Sequence, residues 1–425
     1  MDALASFLAQ QDRGFAAVPA IGTITIGGVL AIDGHGASVP AKGEQRPAGT
    51  TYGSLSNLVL SLEAVVWNTQ SRRYELRTIH RNDPECAAFL THLGRTFVTE
   101  ATLRVGAKQT LRCQSFTDIP ISELFAHPGT SAQRTFARYL DETGRVEAIW
   151  YPFTQNPWLK VWSVSPHKPA SSREVTAPYN YPFSDHIPKD IALFSEEQVR
   201  THPESTPPFG QASYDFTVAG LAATDASDIW GDSRNVQVYI RATTLRAHEE
   251  GYAVLTRRRD VQRVVAEFAS YYSGRIAAYA QRGHYPMNMP VEIRACGLDD
   301  PSHSGIAGAA APSLSAVAPR PDHPEWDVAV WLNVLTFPGT RYANEFYGEL
   351  ERWLSSNYTG EYAMVRPEWS KGWAYTSEGA WTNDHVLAAM PDSFSGTDWR
   401  TAVSTLRAAD PHGIFTNRFL NRVLR

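Results

Sequence analysis

Residues 146–164 read VEAIWYPFTQNPWLKVWSV, and this stretch decides the fold class. Its two ends, VEAIWYPF at 146–153 and WLKVWSV at 158–164, are rich in the aromatic and β-branched residues that strands favour. The tetrapeptide TQNP between them contains turn-forming residues. The stretch therefore predicts two neighbouring strands of a sheet.

Further strand-like and helical runs surround this stretch. Helices are predicted at 261–276, where apolar side chains recur at helical spacing, and at 341–354. Residues 301–324 are rich in Gly, Ala, Ser and Pro and predict a loop, and the Pro-rich stretches 165–182 and 202–209 predict surface connections. The additional strand-like runs are NVQVYIRATTL at 235–245, AVLTRR at 253–258, PVEIRACGL at 290–298 and DVAVWLNVLT at 327–336. Together they predict a large antiparallel sheet with helices on one side.

The first hundred residues have a different, mixed pattern. Leu4, Phe7 and Leu8 fall on one face of a short N-terminal helix. Residues 19–36, PAIGTITIGGVLAIDGHG, read as a strand-like segment that runs into a Gly-rich loop. The other predicted elements are a strand in 51–67, its hairpin partner at 72–80, and a helix followed by a strand in 84–105. The fold class is therefore predicted to be α+β.

Bulk properties narrow the class of protein. A chain of 425 residues is too long for one ordinary core, so we expect two domains. The hydrophobic content of 43% and charged content of 20% are typical of a globular enzyme. A net charge of −5 argues against a nucleic-acid partner. The three cysteines, Cys86, Cys113 and Cys296, fit neither a disulfide framework nor a zinc site, so we expect buried thiols and no metal.

Neither a membrane-spanning segment nor a signal peptide is predicted from the sequence. No apolar run is long enough to span a bilayer. The opening residues, MDALASFLAQQDRGF, lack a charged leader followed by a long apolar stretch, so they are not expected to form a signal peptide. The cellular location stays open.

Glycines bracket the apolar run at 27–36. Gly27, Gly28, Gly34 and Gly36 could adopt positive φ and let backbone N–H groups approach an anion such as a phosphate. The spacing matches neither the dinucleotide fingerprint nor the P-loop. His35 lies in the same loop, and it is interpreted either as a cofactor-linked residue or a catalytic base or, preferably, as a histidine that fixes the turn.

Several polar residues interrupt the apolar strands. Strand alternation puts Glu147 on one face with Ile149, where burial would raise its pKa, although an exposed strand glutamate fits the pattern equally well. Glu292 and Arg294 share a strand face, as a surface ion pair or as a charged pair in a cavity. Asn333 lies in an apolar strand and, if buried, needs hydrogen-bond partners.

Longer motifs carry a resemblance that runs from end to end of the chain. The strings TITIGGVLAIDGHGASVP and TYGSLSNLV resemble the pyrophosphate-binding second half of the vanillyl-alcohol-oxidase flavin domain. The more specific motifs are EAIWYPFTQNPWLKVWSVSP, LAATDASDIWG, PVEIRACGLD, RPDHPEWDVAVWLNVL, RPEWSKGWA and DPHGIFTNRFL. Together these resemble the bacterial cholesterol oxidases that carry covalently attached FAD.

The resemblance assigns expected roles to individual residues. Glu147 matches an active-site glutamate that also takes part in gating, and Glu292 with Arg294 matches a pair at the flavin face. Asn333 matches a position beside the active site, and Glu249 a further acidic pocket residue, although Glu250 is adjacent. The expected FAD contacts are Gly27, Gly28, Gly34, His35, Gly36, Ser54, Asn57, Lys371 and Asn417. Lys371 is the candidate cation beside the flavin, with a solvated surface charge as its alternative.

The resemblance also implies a domain division. We expect residues 1–105 to be the second half of the FAD-binding domain, 106–400 the substrate-binding domain, and 401–425 a return to the FAD domain. The chain is expected to begin inside the flavin domain, because no segment matches the Arg- and Gly-containing loop whose histidine bonds to the flavin in the family. His35 matches a different loop and does not replace that anchor.

The implied reaction converts a 3β-hydroxysterol and O2 to a 3-ketosteroid and hydrogen peroxide. Family members also move the ring double bond by proton transfer, for which Glu292 and Glu147 are both candidates. Transient contact with membranes would let the enzyme extract sterol, and family members are often secreted. Two alternatives stay open: oxidation of another bulky alcohol, and an inactive sterol-binding fragment.

Overall fold

The computed structural model describes residues 1–184, 187–240, 247–372 and 380–425. Its strands are β1 (Arg13–Gly14), β2 (Val59–Asn68), β3 (Arg73–His80), β4 (Phe97–Leu103), β5 (Gly106–Ala107), β6 (Thr110–Phe116), β7 (Arg145–Trp150), β8 (Trp158–Val164), β9 (Arg173–Glu174), β10 (Asp228–Asp232), β11 (His248–Thr256), β12 (Val291–Gly297), β13 (Val328–Thr336) and β14 (Ala363–Pro367).

The helices pack around these strands. They are α1 (Asp2–Gln10), α2 (Ile26–Ala31), α3 (Cys86–Leu90), α4 (Ile121–Leu124), α5 (Phe136–Thr143), α6 (Lys189–Thr201), α7 (Thr206–Ala223), α8 (Ser233–Gln237), α9 (Val261–Ala280), α10 (Ala343–Asn357), α11 (Asp384–Ser393), α12 (Gly396–Ala409) and α13 (Arg418–Val423). Short 3₁₀ turns lie at Leu55–Leu58, Pro203–Ser205, Arg258–Asp260, Pro301–Ser304 and Ala380–Thr382.

The described residues form one large sheet whose strand order is β14-β11-β13-β12-β7-β8-β6-β10-β9. Its pairs are antiparallel except for the short β9–β10 pair. The strands predicted at 146–153 and 158–164 are confirmed as β7 and β8, and those at 290–298 and 327–336 as β12 and β13. These four strands form the middle of the sheet, and most of their residues are buried on both faces.

Strand alternation divides the central strands between two chemically different faces. On one face, Val146, Ile293 and Leu332 pack with α5, α9 and α10 in a single apolar core. The predicted apolar stripe of α9 is buried there, which confirms the helix at 261–276; its residues are Val261, Val264, Val265, Phe268, Tyr272 and Ile276. The opposite face carries the polar residues singled out in the sequence, and the apolar packing behind them holds the strands in register.

Helices lie on both faces of the large sheet, so the prediction of helices on one side was incomplete. Leu221 of α7 and Val236 of α8 pack with Trp158 and Trp162 on the second face. Gly210 lets α7 approach the chain that follows β7, because a Cβ there would come within 3.0 Å of the Pro152 carbonyl. The second face is therefore covered at one end.

A smaller sheet, of order β3-β2-β4 in the described residues, belongs to the N-terminal block. The hairpin predicted at 51–80 is confirmed, as are the helix and strand predicted in 84–105. The C-terminal helix α12 contacts α3 and β2, and Leu420 of α13 lies in the same apolar core. Val386 and Met390 of α11 also lie in this core, ahead of the expected boundary at 401, which remains a prediction.

The structure corrects three local predictions. Within 19–36, Ile26–Ala31 is helical rather than strand-like, because Thr25 Oγ1 accepts the Gly28 N–H at 3.1 Å and Val29 to Ala31 pack inward. Within 235–245, α8 replaces the predicted strand up to Gln237, and residues 241–245 lie outside the described residues. Within 202–209, helix α7 begins at Thr206 because proline is tolerated in the first helical turn.

The described part of the chain contains no helix that is both long and apolar enough to cross a membrane. Among the same residues, no group of three His, Cys, Asp or Glu side chains could hold a metal ion. Cys86, Cys113 and Cys296 are free and buried, as the sequence predicted.

Candidate active site

The register of the central strands brings four predicted residues together on one face of the sheet. Arg294 of β12 lies opposite Glu147 of β7, and Glu292 lies opposite Asn333 of β13. Residues opposite each other in an antiparallel pair point to the same face, and so do residues two apart. Glu147, Glu292, Arg294 and Asn333 therefore share one face.

Arg294 is the centre of this acid–base cluster. Its Nη1 lies 3.4 Å from Glu292 Oε2 and 3.5 Å from Glu147 Oε1. Its Nη2 donates a hydrogen bond to Asn333 Oδ1, and Asn333 Nδ2 donates to Glu368 Oε2. Because the Arg294 side chain is only 14% exposed, the interpretation of Glu292 and Arg294 as a surface pair is wrong.

Glu147 is buried, so its interpretation as an exposed strand residue is also wrong. Its Oε2 accepts a hydrogen bond from the Tyr239 hydroxyl. Burial, and then the charges of Glu147 and Glu292, raise the pKa of Tyr239 well above its usual value, so the hydroxyl stays protonated and donates. The Lys160 ammonium lies 3.0 Å from the centre of the Tyr239 ring. Neither Tyr239 nor Lys160 was predicted from the sequence to belong to the site.

The charges of the cluster set its proton chemistry. Burial raises the pKa of Glu292 to about 7, with Glu249 and Glu147 adding to the rise and Arg294 opposing it. Burial would also raise the pKa of Glu368, but the contact with His35 and the charges of Lys371 and Arg294 hold it well below its usual value. Glu292 can therefore take up and release a proton near neutral pH, whereas Glu368 stays ionised.

Strand alternation separates Glu249 from Glu250. Glu249 Oε2 accepts a hydrogen bond of 2.7 Å from Lys371 Nζ on the side of the acid–base cluster. Glu250 accepts from the Tyr252 hydroxyl on the opposite side, where Tyr252 belongs to the apolar core. Lys371 is not the solvated surface charge of the alternative interpretation, because its side chain is only 17% exposed and paired.

His35 reaches the acid–base cluster from the N-terminal block. Its ring stacks on Trp331, with centroids 3.8 Å apart and planes within 3°. Its Nε2 lies 3.6 Å from Glu368 Oε1, and its Nδ1 lies 3.4 Å from the Gly36 carbonyl oxygen. The interpretation as a histidine that fixes the turn accounts only for the last contact.

The four predicted glycines differ from the expectation in backbone conformation, while their contact with a cofactor remains a prediction. None has positive φ, and the left-handed residue of this segment is Asp33, at φ 49°. A Cβ at Gly36 would come within 3.0 Å of the Val18 backbone, and one at Gly34 would meet Val29, so these two allow close packing of the chain. Gly27 and Gly28 lie in helix α2, and a Cβ at Gly27 would meet nothing within 4 Å.

The remaining expected FAD contacts are engaged with protein groups. Ser54 Oγ donates to Asp299 Oδ2 at 2.9 Å, and Asn57 Nδ2 donates to the Asp300 carbonyl oxygen at 2.7 Å. Asn417 Oδ1 accepts the Leu420 N–H and caps α13. Their part in cofactor binding remains a prediction.

A small cavity opens beside the acid–base cluster. Its walls come from both parts of the chain and consist of Val18, Ala20, His35, Gly36, Ala37, Glu147, Trp162, Gln237, Tyr239 and Arg294. Among the described residues, Gln237 Oε1 and Arg294 Nε are buried without a hydrogen-bond partner. Walls that combine apolar and aromatic side chains with unpaired donors and acceptors suit a planar, polar heterocycle such as a flavin ring, so the residues present fit that cofactor.

The fold and the site together define an α+β protein whose acid–base cluster lies on the large sheet beside a cavity. The structure of berberine bridge enzyme from Eschscholzia californica shares this fold, at 10% identity and a TM-score of 0.51, over 97% of this chain and 73% of that one. The likeness is in fold alone.

Two further comparisons give the family. Residues 110–425 match the family described as "Cholesterol oxidase, substrate-binding". A "Solvent-stable cholesterol oxidase" structure is 52% identical with a TM-score of 0.96, over 100% of this chain and 80% of that one. The crystal structure of cholesterol oxidase from B. sterolicum is 47% identical with a TM-score of 0.94, over 100% and 79%. The chain belongs to the cholesterol oxidase family. A search of curated protein sequences found no match.

Gly251 is predicted to be required for the link between Asn333 and Glu368. A Cβ at this position would come within 3.0 Å of Asn333 Nδ2, Glu368 Oε2 and Lys371 Cγ. Gly251→Ala is therefore expected to destabilise the protein by about 1–3 kcal/mol through overpacking, measured by urea unfolding.

The matched control for Gly251→Ala is Gly274→Ala in helix α9. A Cβ at Gly274 would meet nothing within 4 Å, so alanine should stabilise the helix slightly. Equal unfolding midpoints for the two variants would show that Gly251 is not needed for close packing.

Proposed function

We propose that this protein oxidises the 3β-hydroxyl group of a sterol with O2, giving the 3-ketosteroid and hydrogen peroxide. The observation that carries the proposal is the cluster of Glu292, Glu147 and Asn333 around Arg294, which lies beside a cavity. In the balanced reaction the carbinol loses its hydroxyl proton and a hydride from its C–H bond, and O2 takes up both to become H2O2.

FAD, when bound, supplies the hydride acceptor for this reaction. We assign proton transfer to Glu292, because burial raises its pKa to about 7 and its Oε2 lies 3.4 Å from Nη1 of Arg294. Arg294 holds the carboxylates of Glu292 and Glu147 in place and presents a positive charge to the cavity wall. Asn333 fixes the guanidinium through its Oδ1 and is itself held by Glu368.

We also assign double-bond isomerisation to Glu292 rather than to Glu147. Isomerisation needs a carboxyl group that takes a proton from one ring carbon and returns it to another, which is easiest when its pKa lies near the working pH. Glu147 accepts a hydrogen bond from Tyr239 at Oε2, which holds this carboxylate in place, whereas its Oε1 lies 3.5 Å from Arg294 Nη1 without a hydrogen bond. Glu292→Gln should therefore lose isomerisation together with oxidation.

We propose that the residues of this chain bind FAD without a covalent bond. His35, which lines the cavity, stacks on Trp331 and faces Glu368, so its ring is already held by protein groups. Gly27, Gly28, Gly34, Gly36, Ser54, Asn57, Lys371 and Asn417 complete the set of expected contacts. Acid precipitation checks the attachment: the yellow colour should leave the protein, and a pellet that stays yellow would contradict the proposal.

The expected domain division assigns the cofactor and the substrate to different parts of the chain. We propose that 1–105 and 401–425 form the cofactor side and 106–400 the substrate side, because α12 and α13 pack with the N-terminal block and the acid–base cluster lies on the large sheet. Limited proteolysis should cleave between these units before it cleaves within them, and cuts confined to the large sheet would contradict this division.

Transient membrane contact is proposed for helix α6. Ile191 and Phe194 are 56% and 66% exposed, and Leu193 between them is exposed too. Bulky apolar side chains on a helix surface can enter the lipid interface. Phe194→Ser is expected to lower the fraction of protein that floats with phosphatidylcholine–cholesterol vesicles, and an unchanged fraction would count against α6.

The proposed reaction is tested by adding cholesterol to purified protein reconstituted with FAD and measuring peroxide and ketosteroid. Equal amounts of both products are expected. Anaerobic bleaching of the flavin by another bulky alcohol, but not by cholesterol, would identify that alcohol as the substrate. A colourless protein that still binds sterol would support the inactive-fragment alternative and overturn the proposal.

A further inference from the structure

Gln237 is a polar residue of the cavity wall that the proposed reaction does not use. It is the last residue of helix α8 and is 8% exposed. It lines the same cavity as Glu147, Tyr239 and Arg294. Its position therefore puts an amide side chain beside the acid–base cluster.

The orientation of the Gln237 amide is set by the protein. Nε2 donates a hydrogen bond of 3.2 Å to the Ala16 carbonyl oxygen. Exchanging the two amide atoms would set Oε1 against that carbonyl oxygen, where two acceptors repel. Nε2 therefore faces Ala16, and Oε1 is left as an acceptor.

This acceptor has no donor of its own in the described residues, although it is buried. The hydroxyl group of Tyr239, which also lines the cavity, already donates to Glu147. Leaving a buried acceptor unpaired costs free energy, and a donor that enters the cavity removes that cost. The donor that Gln237 lacks can thus come from a molecule bound in the cavity.

We propose that Gln237 is a ligand-binding residue whose Oε1 accepts a hydrogen bond from an N–H or O–H group of the molecule in this cavity. This inference rests on the proposed function, which supplies two such donors: the imide N–H of the flavin ring and the hydroxyl group of the sterol. A ketone offers neither, so the ketosteroid product cannot make this bond.

The test uses Gln237→Met, which keeps the length of the side chain and removes the acceptor. FAD affinity is measured by fluorescence titration of the apoprotein, and steroid affinity is measured with the hydroxysterol and the matching ketosteroid. If the partner is the sterol hydroxyl, the variant binds the hydroxysterol about tenfold more weakly and the ketosteroid unchanged. If the partner is the flavin, FAD binding weakens by a similar factor and the ratio of the two steroid affinities stays constant.

Asn235→Leu is the matched control. Asn235 lies in the same helix, its Nδ2 donates 3.2 Å to the Val175 carbonyl oxygen, and its Oδ1 is buried and unpaired within the described residues. It does not line the cavity beside Arg294. Its substitution should cost similar thermal stability without changing the affinity for FAD or the steroid ratio.

Three outcomes decide the inference. If Gln237→Met fails to fold, Gln237→Asn takes its place. The shorter side chain keeps an amide but holds its oxygen farther from the cavity, so the same loss of affinity is expected. If the Gln237 variant binds FAD and both steroids as Asn235→Leu does, while the wild-type protein oxidises sterol, this inference alone is overturned. A wild-type protein that binds neither FAD nor steroid overturns the proposed function and this inference together.

Discussion

Replacing Glu292 with glutamine is expected to lower kcat for sterol oxidation about 10²- to 10⁴-fold, the usual contribution of a general base. The wild-type protein needs Glu292 ionised to accept the hydroxyl proton. Because its pKa is raised to about 7, kcat/KM should rise with pH through about 7. Glutamine does not titrate, so this rise should vanish in the variant. Stopped-flow kinetics from pH 5 to 9 measure both effects.

Glu250→Gln is the control for this prediction. Glu250 is a buried glutamate that faces the other side of the sheet, where it accepts a hydrogen bond from Tyr252. Its substitution should leave the pH dependence as it is in the wild-type protein. A rise through pH 7 that persists in Glu292→Gln would assign proton transfer to a different group.

Arg294→Met is expected to destabilise the protein by about 3–5 kcal/mol, because it removes the cation from a buried charged cluster and leaves carboxylates unpaired. Loss of the positive charge also raises the pKa of Glu292 further, since Arg294 lowers that pKa. A carboxyl group whose pKa is higher in the folded protein than in the unfolded chain contributes most to stability below the unfolded-state pKa. That contribution is lost as the pH rises through the folded-state pKa. The variant should therefore be most unstable above neutral pH.

The measurement for Arg294→Met is urea unfolding at pH 5 and at pH 8, together with the pH profile of any remaining activity. Arg145→Met is the matched control. Arg145 is buried in the same sheet, but it pairs with Glu44, at 2.8 Å, outside the acid–base cluster. Both variants should lose stability, whereas only Arg294→Met should move the rise in activity to higher pH. An equal pH profile in the two variants would refute the role given to Arg294.

Part of the site was predictable because strand alternation is a local property. Once β7, β12 and β13 were assigned from their aromatic and β-branched residues, Glu292 and Arg294 had to share a face. The pattern did not decide whether that face was buried. The family resemblance favoured a cavity, and the structure places Arg294 in a cavity wall, with only 14% of its side chain exposed.

Other partners could not be found from the sequence because they come from distant segments. Tyr239 lies 92 residues from Glu147, and Glu368 lies 35 residues from Asn333. No spacing rule connects such pairs, and Tyr239 follows a stretch whose strand-like composition is overridden by the short helix α8. Gln237 could not be predicted for the same reason, because its unpaired oxygen is recognised only when the residues of the cavity wall are brought together.

The sequence by itself determined the α+β class, the central strands, helices α9 and α10, and the resemblance that led to the cholesterol oxidase family, because hydrophobic periodicity and long aromatic motifs are written locally in the chain. Only the tertiary structure decided which charges are buried, which of Glu249 and Glu250 faces the cluster, and how His35 joins it through Glu368. These depend on strand register and on desolvation, which arise when segments far apart in the chain pack against one another.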